Sequence, residues 1–117
     1  MSLETALKNC FTDRRESRFL YLIPKNFPAF EGHFPGNPLL PAVCQTGLCA
    51  DALSRQAGKP LEISAVARAK FMRPVLPGTQ VQITLTPRPD GKTLCELADP
   101  ESGQKFSQII VQVKERV

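Results

Sequence analysis

Residues 30–51 read FEGHFPGNPLLPAVCQTGLCAD, and the fold turns on how this stretch is parsed. Gly32, Pro35, Gly36, Pro38 and Pro41 punctuate its first half. Proline fixes φ and removes a backbone donor, so the chain is expected to be extended or looped there. Pro41 suits the first position of a helix, where its missing N–H costs nothing. A helix is therefore expected through AVCQTGLCADALSRQA, stopping at Gly58 with Pro60 just beyond. Its first charge is Asp51, and its first half offers no polar side chain besides Gln45 and Thr46. A helix apolar nearly all round belongs inside a core. Gly47 lies within it at a cost of about 1 kcal/mol relative to alanine, which points to close packing or room for a ligand.

Strands are expected on both sides of this helix. Residues 3–10 could make a short helical turn, and Arg18 to Ile23 (RFLYLI) reads as a strand ended by Pro24. Leu61 to Phe71 is strand-like. Thr79 to Thr86 alternates, with Val81, Ile83 and Leu85 on one face. Asp90-Gly91 is a hairpin signal leading into Lys92 to Ala98. A second turn at 99–103 leads into Phe106 to Lys114, with Ile109, Val111 and Val113 inward. The order is strand, loop, buried helix, then an antiparallel meander: an α+β domain spanning 1–117, its sheet wrapped around one long central helix.

Composition narrows the function classes. The chain has 117 residues, 42% hydrophobic and 22% charged, with a formal net charge of +4. That is enough for one core without disulfides. No apolar run reaches membrane-spanning length, so no membrane role is expected. The polar start MSLETALKNCFTDRRES lacks the apolar core of a secretory signal, and a cytoplasmic chain is expected. Cys10, Cys44, Cys49 and Cys95 form no CxxC and no metal-like cluster with the single histidine, so reduced thiols and no metal are expected. Cys44 and Cys49 are five apart and do not share a helix face. Basic residues are dispersed, with one Tyr and no Trp, so no nucleic-acid module is read here. The positive balance suits an acidic protein or a phosphate-bearing ligand.

Two motifs then carry a resemblance. GHFPGNPLLPAV (Gly32 to Val43) resembles the GHFPGxPxxPGV signature of the β-hydroxyacyl-acyl carrier protein dehydratases, the FabA/FabZ-like family. AKFMRPVLPGTQV (Ala69 to Val81) resembles that family's second signature, A-[RK]-F-x-[RK]-P-V-x-P-G-D-x-[LV]. VCQTG at the helix start is similar to a divergent branch, the dehydratases of aryl-polyene gene clusters. The resemblance implies a hotdog fold and dehydration of a 3-hydroxyacyl thioester, without metal or cofactor. The thioester would ride on the phosphopantetheine arm of an acyl carrier protein. It also implies a homodimer or higher oligomer, or a heterodimer with a related hotdog chain, in which each site draws its histidine and its acid from different chains.

Such chemistry needs a base for the α-proton, donors for the developing enolate and an acid for the leaving hydroxyl. His33 suits the base, and the family's matching histidine has that role; as a lone histidine in a Pro/Gly loop it could also be structural. The amides opening the helix suit the enolate, and the family's carbonyl-binding amide maps onto Ala42, next to Val43. The family's Glu or Asp, fourteen residues after the histidine, is here Gly47. Asp51, one turn on and about 6 Å along the axis, could reach back into the space left at 47. It could equally be a polar residue where the helix meets solvent. Phe34, Leu39, Leu40, Phe71 and Met72 are candidate acyl-tunnel residues, each also plausible as core. Gln45 and Thr46 could orient a water or line the core. Arg68, Lys70 and Arg73 could attract an acidic carrier protein, or form an ordinary solvated strand face. A non-catalytic acyl-binding subunit and, more remotely, a thioesterase are the alternatives.

Overall fold

The computed structural model describes residues 2–30 and 38–117. Ser2 opens helix α1 (Leu3–Asn9) by accepting the Thr5 N–H on its hydroxyl, a normal N-cap. Strand β1 (Phe11–Arg15) follows and turns back through Glu16, at φ 58°, into β2 (Arg18–Leu22). β1 was not expected from the sequence, because FTDRR has no apolar alternation and only Phe11 is even half-buried. Phe19, Tyr21 and Ile23 all point inward.

The central helix α2 runs over Ala42–Ala57. Pro41 is extended at φ −62°, ψ 154°, so it stands at the N-cap, one residue before its expected place. Gly58 closes the helix at φ 70°, a conformation glycine adopts without steric cost, and its N–H bonds the Ser54 carbonyl. β3 (Leu61–Phe71), β4 (Gln80–Pro87), β5 (Thr93–Ala98) and β6 (Lys105–Glu115) complete one sheet in the order β1-β2-β4-β5-β6-β3, every pair antiparallel.

The meander expectation therefore applies to β4, β5 and β6 alone. β3 does not join β4; it pairs with β6 at the far edge, from Leu61 opposite Glu115 to Phe71 opposite Ser107. Leu48, Cys49, Ala52, Val81, Ile83, Leu97, Ile109 and Val111 form the centre of the core between α2 and the sheet. The four cysteines are all free and buried in it. Burying the Leu/Ile/Val side chains stabilises the packing by about 1.5–3 kcal/mol each.

The sheet covers one side of α2 and α1 lies against another. A stripe through Val43, Thr46, Gly47 and Ala50 stays partly open, and Val43 is 69% exposed. The sheet thus wraps the helix as expected, with α1 adding cover on one further side. Of the described residues, no helix is long and apolar enough to cross a membrane.

Candidate active site

The open stripe of α2 faces a cavity of about 380 Å³, bounded by α1, α2 and the start of β3. Val43, Gly47 and Asp51 line it, together with Leu3, Leu7 and Ile63. A second hollow of about 340 Å³ opens at the other side of the helix start, between Leu39, Leu40, Ala42, Gln45, Phe71, Met72 and Arg73. Val43, Gly47 and Asp51 thus fall in one group and Leu40, Ala42 and Phe71 in another, on different faces of the first turns of α2. His33 and Phe34 lie outside the described residues.

Asp51 does not stand where the helix meets solvent; it is only 8% exposed. Its Oδ2 accepts the Tyr21 hydroxyl at 2.7 Å and the Arg55 Nε–H at 2.7 Å. Arg55 in turn donates from Nη2 to the Lys8 carbonyl at 3.2 Å and lies 3.8 Å above the Phe11 ring. Burial, and then the bond to Asp51, hold the Tyr21 phenol far above its usual range. The thiol of nearby Cys10 is pushed up to about 11, first by burial and then by the charge of Asp51. A carboxylate oxygen that accepts from both a guanidinium and a phenol is committed to accepting.

Gly47 opens on the cavity on one side and meets the tip of Leu7 on another. A β-carbon at 47 would lie 2.6 Å from Leu7 Cδ1, closer than real contacts allow. Asp51, held at Oδ2 by Tyr21 and Arg55, lines the same cavity as Gly47.

At the opening of α2, Pro41 provides no side-chain cap, and its carbonyl receives the N–H groups of Cys44 and Gln45. The N–H groups of Ala42 and Val43 stand outside the helix ladder, as first-turn amides do. Gln45 is buried: its Nε2 donates to the Leu40 carbonyl at 3.3 Å and its Oε1 accepts the Ser107 hydroxyl at 2.8 Å. That makes it a tie between helix and sheet. Thr46 donates to the Ala42 carbonyl at 3.0 Å. Leu40 is a core residue, whereas Phe71 is 47% exposed and Met72 is exposed beside it.

Arg68, Lys70 and Arg73 are exposed along and just past β3, and none of them is ion-paired among the described residues. Arg73 donates to the Gln104 side chain. Tyr21, Arg55 and Leu7 are participants that the sequence reading missed. Arg55 was available from its spacing, four residues after Asp51 on one helix face. Tyr21 approaches α2 from β2 and Leu7 from α1, both distant in sequence, and no local pattern marks them.

A six-stranded antiparallel sheet laid over one central helix is the hotdog architecture, and solved hotdog chains superpose on it. A chain of the dehydratase heterocomplex ApeI:P from Xenorhabdus doucetiae aligns with a TM-score of 0.69 at 21% identity, over 91% of this chain and 96% of that one. The E. coli PaaI protein of the phenylacetic acid degradation operon aligns with a TM-score of 0.61 at 13% identity, over 97% and 89%. At these identities the likeness shows the fold.

The family is shown separately by sequence. The model of the ApeI-like family, described as ApeI dehydratase, matches residues 9–110. A 3-hydroxyacyl-[acyl-carrier-protein] dehydratase FabZ of Haemophilus influenzae is 37% identical over 84 residues, 62% of this chain and 57% of its own length. The FabZ of Chloroflexus aggregans is 39% identical over 69 residues, 53% of this chain and 48% of its own. The chain thus spans roughly half the length of these curated relatives. It belongs to the ApeI-like dehydratase family, the ApeI-type branch of the FabZ-like hotdog proteins.

Proposed function

We propose that this chain is one subunit of a 3-hydroxyacyl thioester dehydratase and that the acid for its site comes from a second hotdog chain. The observation that carries this reading is the engagement of Asp51. The carboxylate on α2 that lies a turn beyond the family's acid position is held by Tyr21 and Arg55. Gly47, at that position, has no side chain to offer.

In the reaction, His33 takes the α-proton of the 3-hydroxyacyl thioester as the Cα–Cβ double bond begins to form. The Ala42 N–H, at the positive end of α2, receives the thioester carbonyl as it gains negative charge. The partner's carboxyl gives its proton to the β-hydroxyl, which leaves as water. The free amide at 42 survives the family's glycine-to-alanine change, since the donor is backbone.

The outer surface supports pairing. β3 exposes both faces along most of its length, with Val66 and Phe71 each 47% exposed, and its free edge can extend a sheet. The Xenorhabdus relative is itself described as a heterocomplex. Arg68, Lys70 and Arg73 give the same edge a positive border suited to an acidic carrier protein carrying the acyl group on phosphopantetheine.

The test is hydration of a crotonyl thioester by the chain alone and by its complex with a carboxylate-bearing hotdog chain from the same genome. The complex is expected to turn over and the lone chain is not. Within the complex, His33→Ala should lower the rate by about a hundredfold to ten-thousandfold. Equal turnover by the lone chain, lost on Asp51→Asn, would return the acid role to Asp51 and overturn the two-chain reading.

A further inference from the structure

We infer that the cavity beside α2 takes the far end of an acyl chain that carries a hydroxyl, and that the free oxygen of Asp51 recognises that hydroxyl. The inference rests on the dehydratase reading above and adds the class of chain that such an enzyme would serve.

Asp51 has two carboxylate oxygens and uses one. Oδ2 accepts both the Tyr21 hydroxyl and the Arg55 Nε–H, whereas Oδ1 has no donor among the described residues. Every fully enclosed polar side-chain atom among the described residues has a partner. An oxygen without one therefore reaches open space, and the space that Asp51 borders is the cavity of about 380 Å³. The residue as a whole is 8% exposed, so the opening at Oδ1 is narrow.

The surroundings decide the ligand. Leu3, Leu7, Val43, Gly47 and Ile63 supply an apolar wall. The charge of Asp51 is already balanced by Arg55, so a cationic ligand gains little and an anionic one meets a carboxylate. Charges at the rim cancel as well: Glu4 pairs with Lys8 at 3.9 Å and with Arg116, and Arg116 reaches Glu62 at 3.8 Å. A neutral donor on an apolar body satisfies this site, and a hydroxyl on a hydrocarbon chain is such a group. An alkyl end in its place would cover Oδ1 without a donor, and a buried acceptor left unpaired is costly. The cavity thereby selects against the plain chain.

The hydroxyl is not the one that leaves as water. Ala42, whose amide receives the thioester carbonyl in the reading above, stands nine residues before Asp51 on the same helix, about 14 Å along its axis. The recognised group therefore lies well down the chain from the reacting carbons.

The test titrates decanoyl and ω-hydroxydecanoyl thioesters of N-acetylcysteamine into the purified chain, followed by calorimetry and by the methyl NMR signals of Leu7 and Ile63. The ω-hydroxy compound is expected to bind at least tenfold more tightly, as one hydrogen bond to a charged acceptor provides, and to shift both sets of methyl signals. Asp51→Leu is expected to erase or reverse the preference. Because that change leaves Arg55 without its carboxylate, Ala50→Phe serves as a second variant: it fills the cavity and should abolish binding of both compounds with the circular dichroism unchanged. Equal affinity or no binding in the native chain overturns the inference. So does a preference that survives Asp51→Leu, binding that survives Ala50→Phe, or shifts confined to other residues. Turnover is read separately: if the preference holds and the two-chain complex does not hydrate a crotonyl thioester, the dehydratase reading fails and the hydroxyl site stands.

Discussion

Tyr21 and Arg55 converge on a single oxygen of Asp51, and the consequences of removing each partner differ. Tyr21→Phe deletes one hydrogen bond to a charged group and leaves the Arg55 pair in place, so a loss of about 1.5–3 kcal/mol is expected. Asp51→Asn leaves a guanidinium facing a neutral amide; because the Arg55 side chain is about a third exposed, the cost should fall below the roughly 3–5 kcal/mol of a fully buried broken pair. Urea denaturation at neutral pH measures both, and an Asp51→Asn protein as stable as the native one contradicts the anchoring role. Alkaline pH tests the same cluster. The folded-state value of the Cys10 thiol is raised from 9.0 to about 11, and that of the Tyr21 phenol is raised further still. In both groups the fold holds a proton that the unfolded chain releases, so the unfolded state binds fewer protons and stability must fall as pH rises. The Cys10 contribution is complete below pH 9 and is lost between about pH 9 and 11. Melting temperatures recorded across that window should decline, and Cys10→Ala should make the decline shallower.

At the scale of the element, α2 is held from both ends of its buried face. Gln45 ties its first turn to β6 through Ser107, and Ser54 ties its last turns to the start of β3, accepting the Leu61 N–H at 2.9 Å. Ser107→Ala would leave the buried Gln45 Oε1 without this donor, at a cost of about 1–3 kcal/mol, whereas Thr46→Ala on the open stripe should change stability by less than about 0.5 kcal/mol. Thermal unfolding of the two variants side by side checks the contrast. The helix itself was legible from Pro41, Gly58 and the late first charge at Asp51. Its partners were not. The sequence left Gln45 open between solvent and core, and only the approach of β6 put it in the core.

At the scale of the whole molecule, the position of β3 matters most. By crossing to the edge beside β6 it leaves an eleven-residue strand with an open side, bordered by the exposed side chains of Val66, Phe71 and Val43. A strand of this length with apolar side chains and free N–H and C=O groups invites pairing with a second sheet. The chain, alone or with the hotdog partner proposed above, is expected to sediment as a dimer. Val66→Lys/Phe71→Lys should convert it to the monomer mass while leaving its circular dichroism unchanged. A native chain that stays monomeric alone and with that partner would remove the basis for a shared site.

Taken alone, the amino-acid order settled the helix, five of the six strands to within a residue or two of their ends, and the family, since Pro/Gly punctuation, period-two alternation and two contiguous motifs are local signals. The resemblance also aligned Gly47 with the family's acid position, because that alignment is a matter of spacing along one helix. Only the tertiary structure decided what lies beside Gly47 and what holds Asp51. Leu7 meets Gly47 across 40 residues of chain and Tyr21 meets Asp51 across 30, and such contacts arise from packing between elements, which no local pattern encodes.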